Sequence, residues 1–166
     1  MKTKKLTLTA LLFSVAIVLS VVEGQFVIIP FCPGVKMGLS NVIVMFTLFC
    51  LDKKSAYIIS ILKGLFSLLT RGIVAGLLSL SGGVFSITVI VLILHLYKNS
   101  SLSFLSIIGA LSHNLMQFSV VRVIYGGVSF LPYLPLLIVA GVLFGVLNAV
   151  LLTILTPNLK KIWRKE

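Results

Sequence analysis

The chain has 166 residues, of which 59% are hydrophobic and 10% are charged, and its formal net charge is +11. The mean hydropathy of +1.22 excludes an ordinary soluble domain, in which roughly 45–50% of residues are apolar. The positive charge stands at the edges of apolar runs, as in MKTKK and KKIWRKE. This placement indicates membrane topology rather than a basic surface for nucleic acid. We therefore expect one all-α integral membrane domain over residues 1–166 and no nucleic-acid partner.

Six apolar runs come close to the roughly 20 residues that cross a bilayer as a helix. In chain order, the predicted transmembrane helices are 6–22, 38–51, 55–69, 84–97, 102–121 and 133–156. The second is short for a full crossing. The stretch GIVAGLLSL after Arg71 either extends the third helix to residue 80 or forms a re-entrant segment. The basic start before the first helix also resembles a signal peptide, but no clear small-x-small cleavage site follows, so we expect the helix to be retained.

Basic residues also predict the orientation of these helices. Of the 14 basic residues, Lys36, Arg71 and Arg122 fall at the far ends of the spans and Lys63 falls inside the third, which leaves ten on the side of the two termini. Positive residues near span ends favour the cytoplasm. We therefore expect a multi-pass protein of the cytoplasmic membrane with both termini in the cytoplasm.

Polar side chains within or just outside the spans are candidates for a binding site, because a bilayer makes them costly. The predicted substrate-binding residues are Lys63, His113, Asn114, Gln117, Asn41, Lys36, Arg71, Arg122 and Glu23. His113 and Gln117 are four residues apart and share a helix face, with Asn114 about 100° around the helix. We expect a pocket open to the outside and covered by the loops 23–36, 71–83 and 122–132.

Each of these polar residues also has a structural interpretation. Asn114 and Gln117 could hydrogen-bond neighbouring helices, and His113 could fill a packing role. Lys63 could extend its ammonium group toward the cytoplasmic face. The sequence does not decide between these roles and ligand contact.

The charged residues near the outer ends of the predicted helices bear on the charge of the ligand. Four basic residues, Lys36, Lys63, Arg71 and Arg122, face one acid, Glu23. Fixed positive charges within low-dielectric walls attract anions, so they favour an anionic ligand. A neutral ligand bound through His113, Asn114 and Gln117 is the competing interpretation.

The acidic residues restrict the chemistry. Glu23, Asp52 and Glu166 are the only three acids, and no two have a spacing typical of paired catalytic carboxylates or of a magnesium site. No GxxxxGK[ST] phosphate-binding loop is present. We expect no catalytic residues, no metal site and no cofactor, and we expect that the protein is not an enzyme.

Four segments, in this order, carry a family resemblance: VKMGLSNVIVMFTLF, SILKGLFSLL, LSGGVFSITVIVLI and IIGALSHNLMQF. They resemble the Gx transporter family, also known as heptaprenyl diphosphate synthase component I, which is similar to the substrate-binding S-components of energy-coupling-factor transporters. The resemblance implies a six-helix S-component bundle with an outward-facing pocket.

The resemblance also implies partners, namely a coupling transmembrane subunit and two ATPase subunits, besides membrane lipid. S-components often dock through an A-x-x-x-A ridge on the first helix, and here the matching residues are Ala10 and Ser14. In the family, the position of Lys63 is usually basic, which favours a pocket role for this residue.

The two family names imply different functions. An S-component would capture a small vitamin- or precursor-like molecule, either anionic or related to prenyl or quinone compounds. The alternative is a non-catalytic membrane accessory protein of heptaprenyl diphosphate synthesis. Because the chain lacks metal-binding carboxylates, we favour transport. A lipid-facing protein without a ligand is a third interpretation.

Overall fold

The computed structural model describes residues 2–25, 38–126, 132 and 134–164, with side chains described for 3–25, 38–126, 132 and 134–156. This part of the chain forms six α-helices. Their bounds are α1 Lys2–Gln25, α2 Leu39–Cys50, α3 Lys53–Arg71, α4 Ile73–Leu96, α5 Leu102–Ile124 and α6 Leu134–Arg164. The predicted all-α membrane protein is confirmed.

Four of the described helices are long and apolar enough to cross a membrane. These segments are Thr3–Gln25, Ile73–Leu96, Leu102–Ile124 and Leu134–Thr156. The helix α2 has 12 residues, which corresponds to about 18 Å at 1.5 Å per residue. All of its side chains from Val42 to Leu48 are buried, so this helix packs within the bundle and does not face lipid along its length.

The boundary between α3 and α4 differs from the prediction. The helix α3 ends at Arg71 and α4 begins at Ile73, so the predicted start of the fourth helix at 84 is wrong. GIVAGLLSL is neither a re-entrant segment nor an extension of α3, because its first residue, Gly72, links the two helices and residues 73–80 form the first turns of α4. A single residue, Gly72, joins the two helices with φ +89°, a backbone conformation that side chains with a Cβ rarely adopt.

The helices alternate in direction and form a nearly closed ring. The contacts run from α2 through α3, α4 and α5 to α6, and α6 packs against α2, while α1 packs on α2 and α3. Lys5 of α1 contacts Asp52 before α3, whereas Arg71 at the end of α3 contacts Ser20 near the end of α1. Together with the antiparallel α5–α6 pair, these contacts put the start of α1 and the last turns of α6 at one end of the bundle.

At that end the helices pack through apolar side chains, and we call this region the apolar half. Its buried members are Leu12, Ala16, Val42, Ile43, Val44, Met45, Phe46, Leu48, Ala56, Ile59, Ile87, Ile90, Leu105 and Leu152. They come from all six helices. The opposite end of the bundle encloses the polar side chains.

Candidate functional site

A cavity lies at the polar end of the bundle, and all six helices contribute to it; we call it the polar cavity. It contains about 490 Å³ of space not filled by atoms, its open mouth included. Its lining residues are Ser20, Glu23, Gly38, Ser40, Asn41, Lys63, Ser79, Ala110, His113, Asn114, Gln117, Phe144 and Asn148. Six of the nine predicted substrate-binding residues therefore meet in one place.

Glu23 lies in the last turn of α1, and its carboxylate caps the start of α2. It accepts hydrogen bonds from the backbone N–H of Leu39, from the backbone N–H of Ser40 at 3.4 Å and from the Ser40 hydroxyl at 2.9 Å. The N-cap residue of α2, Gly38, has no side chain that could do this. A carboxylate at a helix N-terminus is stabilised by the free N–H groups and by the helix dipole.

Lys63 lies on α3 with 3% of its surface exposed, so its ammonium group is inside the bundle rather than extended to the cytoplasmic face. It donates hydrogen bonds to Asn41 Oδ1 and, at 3.3 Å, to Ser40 Oγ. Ser40 thus bridges Lys63 and Glu23. The acid and the base of the described lining are linked through one hydroxyl group.

His113 and Gln117 pack on α4 at a glycine. A Cβ atom at Gly82 would lie 2.9 Å from His113 Cε1 and Nδ1 and 3.0 Å from Gln117 Cγ. These distances are shorter than van der Waals contact, so a side chain at this position would displace His113 and Gln117 from where they lie. Gly82 therefore lets the two side chains lie between α4 and α5 at the wall of the polar cavity.

Asn114 forms a helix–helix contact. Its Nδ2 donates a hydrogen bond to the Leu137 carbonyl oxygen of α6 at 3.2 Å. Such bonds between membrane helices contribute about 0.6 kcal/mol on average. Asn114 lines the polar cavity, but its amide nitrogen holds α5 to α6, which is the structural role that the sequence left open.

Of the outer basic residues, Arg71 and Arg122 do not line the polar cavity. Arg71 donates hydrogen bonds to the Ser20 carbonyl oxygen and, at 3.5 Å, to the Ser20 hydroxyl, and it lies against Gly24. Arg122 is exposed at the end of α5, and Lys36 lies outside the described residues. Their predicted convergence with Lys63 is therefore absent for Arg71 and Arg122, because Arg71 is bonded to Ser20 of α1 and Arg122 is exposed in the last turn of α5.

The loops that were predicted to cover the pocket also differ from the structure. The loop expected over 71–83 does not exist, because only Gly72 separates α3 from α4. The other two predicted loops, 23–36 and 122–132, lie mostly outside the described residues.

Asn148 of α6, Ser20 and Ser79 also line the polar cavity, although none of them was among the predicted site residues. Asn148 is 2% exposed and lines both the polar cavity and a second cavity toward the apolar half, which contains about 330 Å³ of space not filled by atoms, open solvent included. The two cavities share Asn41, Ala110 and Asn148. The signal was present in the sequence, since Asn148 is the only amide side chain in the apolar run 134–156 and such residues are candidate site residues.

The chain matches a protein-family model over residues 12–155, and the description of that family is heptaprenyl diphosphate synthase component I. The chain belongs to this family. The match spans all six helices and includes every residue of the polar cavity. No curated protein and no solved structure matches the chain.

The chemistry of this family member's cavity is that of hydrogen bonding. Among the described residues there is no group of three or more His, Cys, Asp and Glu side chains placed to hold a metal ion. The described lining offers amides, hydroxyls, one imidazole, one carboxylate and one ammonium group. Groups of this kind can form hydrogen bonds with a small polar molecule.

Proposed function

We propose that this member of the heptaprenyl diphosphate synthase component I family is the substrate-binding membrane subunit of an uptake transporter of the energy-coupling-factor type. In this role it captures a small vitamin- or precursor-like molecule from outside the cell, and a separate ATP-driven module supplies the energy. It acts without catalysis of its own.

The observation that carries the proposal is the polar cavity. Burying polar groups within a membrane bundle is costly, yet polar or charged residues from all six helices meet at one end of this one. Ser40, Glu23 and Lys63 hold one another in fixed positions there. A prearranged set of polar groups at one end of a bundle is what a binding subunit needs.

The orientation of the chain follows from its charges. Lys4, Lys5, Lys53, Lys54 and Lys98 lie at the end of the bundle where α1 begins, opposite the polar cavity. The positive-inside rule assigns that end to the cytoplasm. In this orientation the cavity is reached from the outside, in the cytoplasmic membrane.

The docking surface for the coupling subunit is the ridge of Ala10 and Ser14 on α1. Both residues are exposed, and the Ser14 hydroxyl donates a hydrogen bond to the Ala10 carbonyl oxygen at 3.0 Å. The hydroxyl is therefore satisfied within its own helix. Small side chains here let a partner helix approach closely.

Co-expression with a coupling transmembrane subunit and two ATPase subunits tests the proposal. We expect the four proteins to copurify, and Ala10→Leu and Ser14→Leu to abolish copurification without changing the thermal unfolding of the isolated chain. Val15→Leu is the matched control, because Val15 is also exposed on α1 but lies about 100° around the helix from Ser14. Failure of the native chain to copurify would contradict the proposal.

The family description supports a second candidate, a non-catalytic membrane accessory protein of heptaprenyl diphosphate synthesis. This candidate predicts stable association with a soluble prenyl diphosphate synthase subunit. The same purification distinguishes the two functions, because the partners differ in kind. Recovery of the synthase subunit in place of the ATPase subunits would favour the accessory role.

A further inference from the structure

Two buried amide oxygens at the polar cavity have no hydrogen-bond partner among the described residues. They are Gln117 Oε1 on α5 and Asn148 Oδ1 on α6. Gln117 is 3% exposed and Asn148 is 2% exposed, and both line the cavity. Buried oxygens of this kind are normally paired, so each one that is not calls for an explanation.

The hydrogen bond of the Gln117 amide nitrogen sets the orientation of the side-chain amide. Gln117 Nε2 donates a hydrogen bond to the Leu78 carbonyl oxygen of α4 at 3.3 Å. A carbonyl oxygen accepts but does not donate, so the amide nitrogen has to face Leu78. The oxygen is then the group that Gln117 has left to offer to a ligand.

The two charged groups of the described lining are already used within the protein. The Glu23 carboxylate accepts from Leu39 and Ser40, and the Lys63 ammonium group donates to Asn41 and Ser40. Their formal charges cancel. Since Arg71 and Arg122 do not line the cavity, the described lining carries no net positive charge to attract an anion.

We propose that the polar cavity takes an uncharged molecule that donates at least two hydrogen bonds, through N–H or O–H groups, to Gln117 Oε1 and Asn148 Oδ1. This inference rests on the proposed function, because it names the class of molecule that the binding subunit captures. It replaces the anionic ligand expected from the sequence with the neutral one. It also assigns ligand contact to Asn148.

Three probe molecules of nearly the same size distinguish the effect of hydrogen-bond donors on binding from the effect of charge. Benzamide is neutral and donates two hydrogen bonds, acetophenone is neutral with a methyl group in place of the amide nitrogen, and benzoate is an anion that only accepts. Binding of each probe to the purified full chain in lipid nanodiscs is measured by ligand-observed NMR, with empty nanodiscs subtracted. We expect benzamide to bind at least about five-fold more tightly than the other two, the effect of about one neutral hydrogen bond.

The variants Gln117→Leu and Asn148→Leu remove one acceptor each. Either is expected to reduce the preference for benzamide over acetophenone. Ser106→Ala is the matched control, because the Ser106 hydroxyl is also buried without a partner among the described residues but is not part of the lining of either cavity. It should leave the preference unchanged.

The outcomes separate this inference from the proposed function. Preferential binding of benzoate, equal binding of benzamide and acetophenone, or no binding of any probe overturns the inference, whereas copurification with the ATPase subunits is measured independently and decides the proposed function. If Gln117→Leu does not fold, the inference is still tested by the binding of the three probes to the native chain and to Asn148→Leu. A preference for benzamide that survives in Asn148→Leu removes Asn148 from the site.

Discussion

The same six helices meet in two different ways along the bundle. In the apolar half, side chains such as Ile59, Ile90, Leu105 and Leu152 are almost fully buried against one another. At the other end the helices enclose the polar cavity, where Gln117 and Asn148 keep unpaired oxygens among the described residues. The apolar half stabilises the bundle through close packing. Around the polar cavity, side chains that are costly to bury in a membrane bundle are kept together, which supports the binding role proposed above.

The two regions also differ in what joins the helices. In the apolar half no single contact is decisive, since van der Waals packing is spread over many atoms. Around the polar cavity a few directional bonds, such as Glu23 to α2 and Asn114 to α6, fix the helix ends. In the apolar half, the loss of stability caused by a substitution should therefore depend on how much packing it removes. Around the polar cavity, it should depend on which hydrogen bond is lost.

The largest expected effect is that of Glu23→Ala. The change leaves the N–H groups of Leu39 and Ser40 without their acceptor and leaves Lys63 without a linked acid, so we expect the free energy of unfolding to fall by about 3–5 kcal/mol. Titration with SDS in micelles measures it. Glu23→Gln keeps one acceptor oxygen and should lose less. Equal losses for the two variants would show that the capping bonds of Glu23 are not what matters.

The apolar half is tested by Leu152→Ala, which creates a cavity at a residue with 0% exposure. We expect a loss of about 2–4 kcal/mol in the free energy of unfolding and no change in the probe that the polar cavity prefers. Leu143→Ala on the same helix is the control, because Leu143 is 64% exposed and its truncation leaves no cavity. A changed probe preference in Leu152→Ala would show that the two regions are coupled.

A smaller effect is expected for Asn114→Ala, which removes the hydrogen bond to Leu137. The free energy of unfolding should fall by about 0.6–1 kcal/mol, while benzamide binding should stay within about two-fold of the native value because the amide nitrogen is used on α6. The loss of benzamide binding in Asn114→Ala is compared with the loss in Gln117→Leu. If Asn114→Ala weakens benzamide binding as much, then Asn114 contacts the ligand and its structural role is not the whole account.

The smallest effect is expected at the Lys5–Asp52 ion pair, 3.1 Å long, at the far end of the apolar half. The Ser55 side chain and then the Lys5 ammonium group hold the pKa of Asp52 below its usual value. Because the folded-state pKa is lowered, the stabilisation is present at neutral pH and is lost as the pH falls through that pKa. Asp52→Asn should cost about 0.2–1 kcal/mol.

The pH dependence checks this assignment. In the native chain the free energy of unfolding should fall below about pH 4, near the ordinary pKa of aspartate, and Asp52→Asn should flatten that fall. Lys5→Gln should flatten it in part, because Ser55 still acts on Asp52. An unchanged pH profile in Asp52→Asn would show that other acids cause the acid sensitivity.

The sequence predicted the membrane class and most helix positions, because apolar length is a local property of the chain. It was wrong at the start of α4. Gly82 and Gly83 lie inside that helix, where they pack against His113 of α5 and Ser60 of α3. Glycine weakens an isolated helix but permits close contact within a membrane bundle, so the neighbours decide whether the helix continues.

The order of residues along the chain is enough to identify the polar side chains that a bilayer would make costly, among them Lys63, His113 and Gln117. Which of these side chains meet depends on how the helices pack. Glu23 binds the start of α2, and Asn148 of α6 lines the same cavity as Gln117 of α5, whereas Arg71 is bonded to α1 and does not line the cavity. The physical reason is that these contacts join residues far apart in the chain, and only the packing of whole helices brings such residues together.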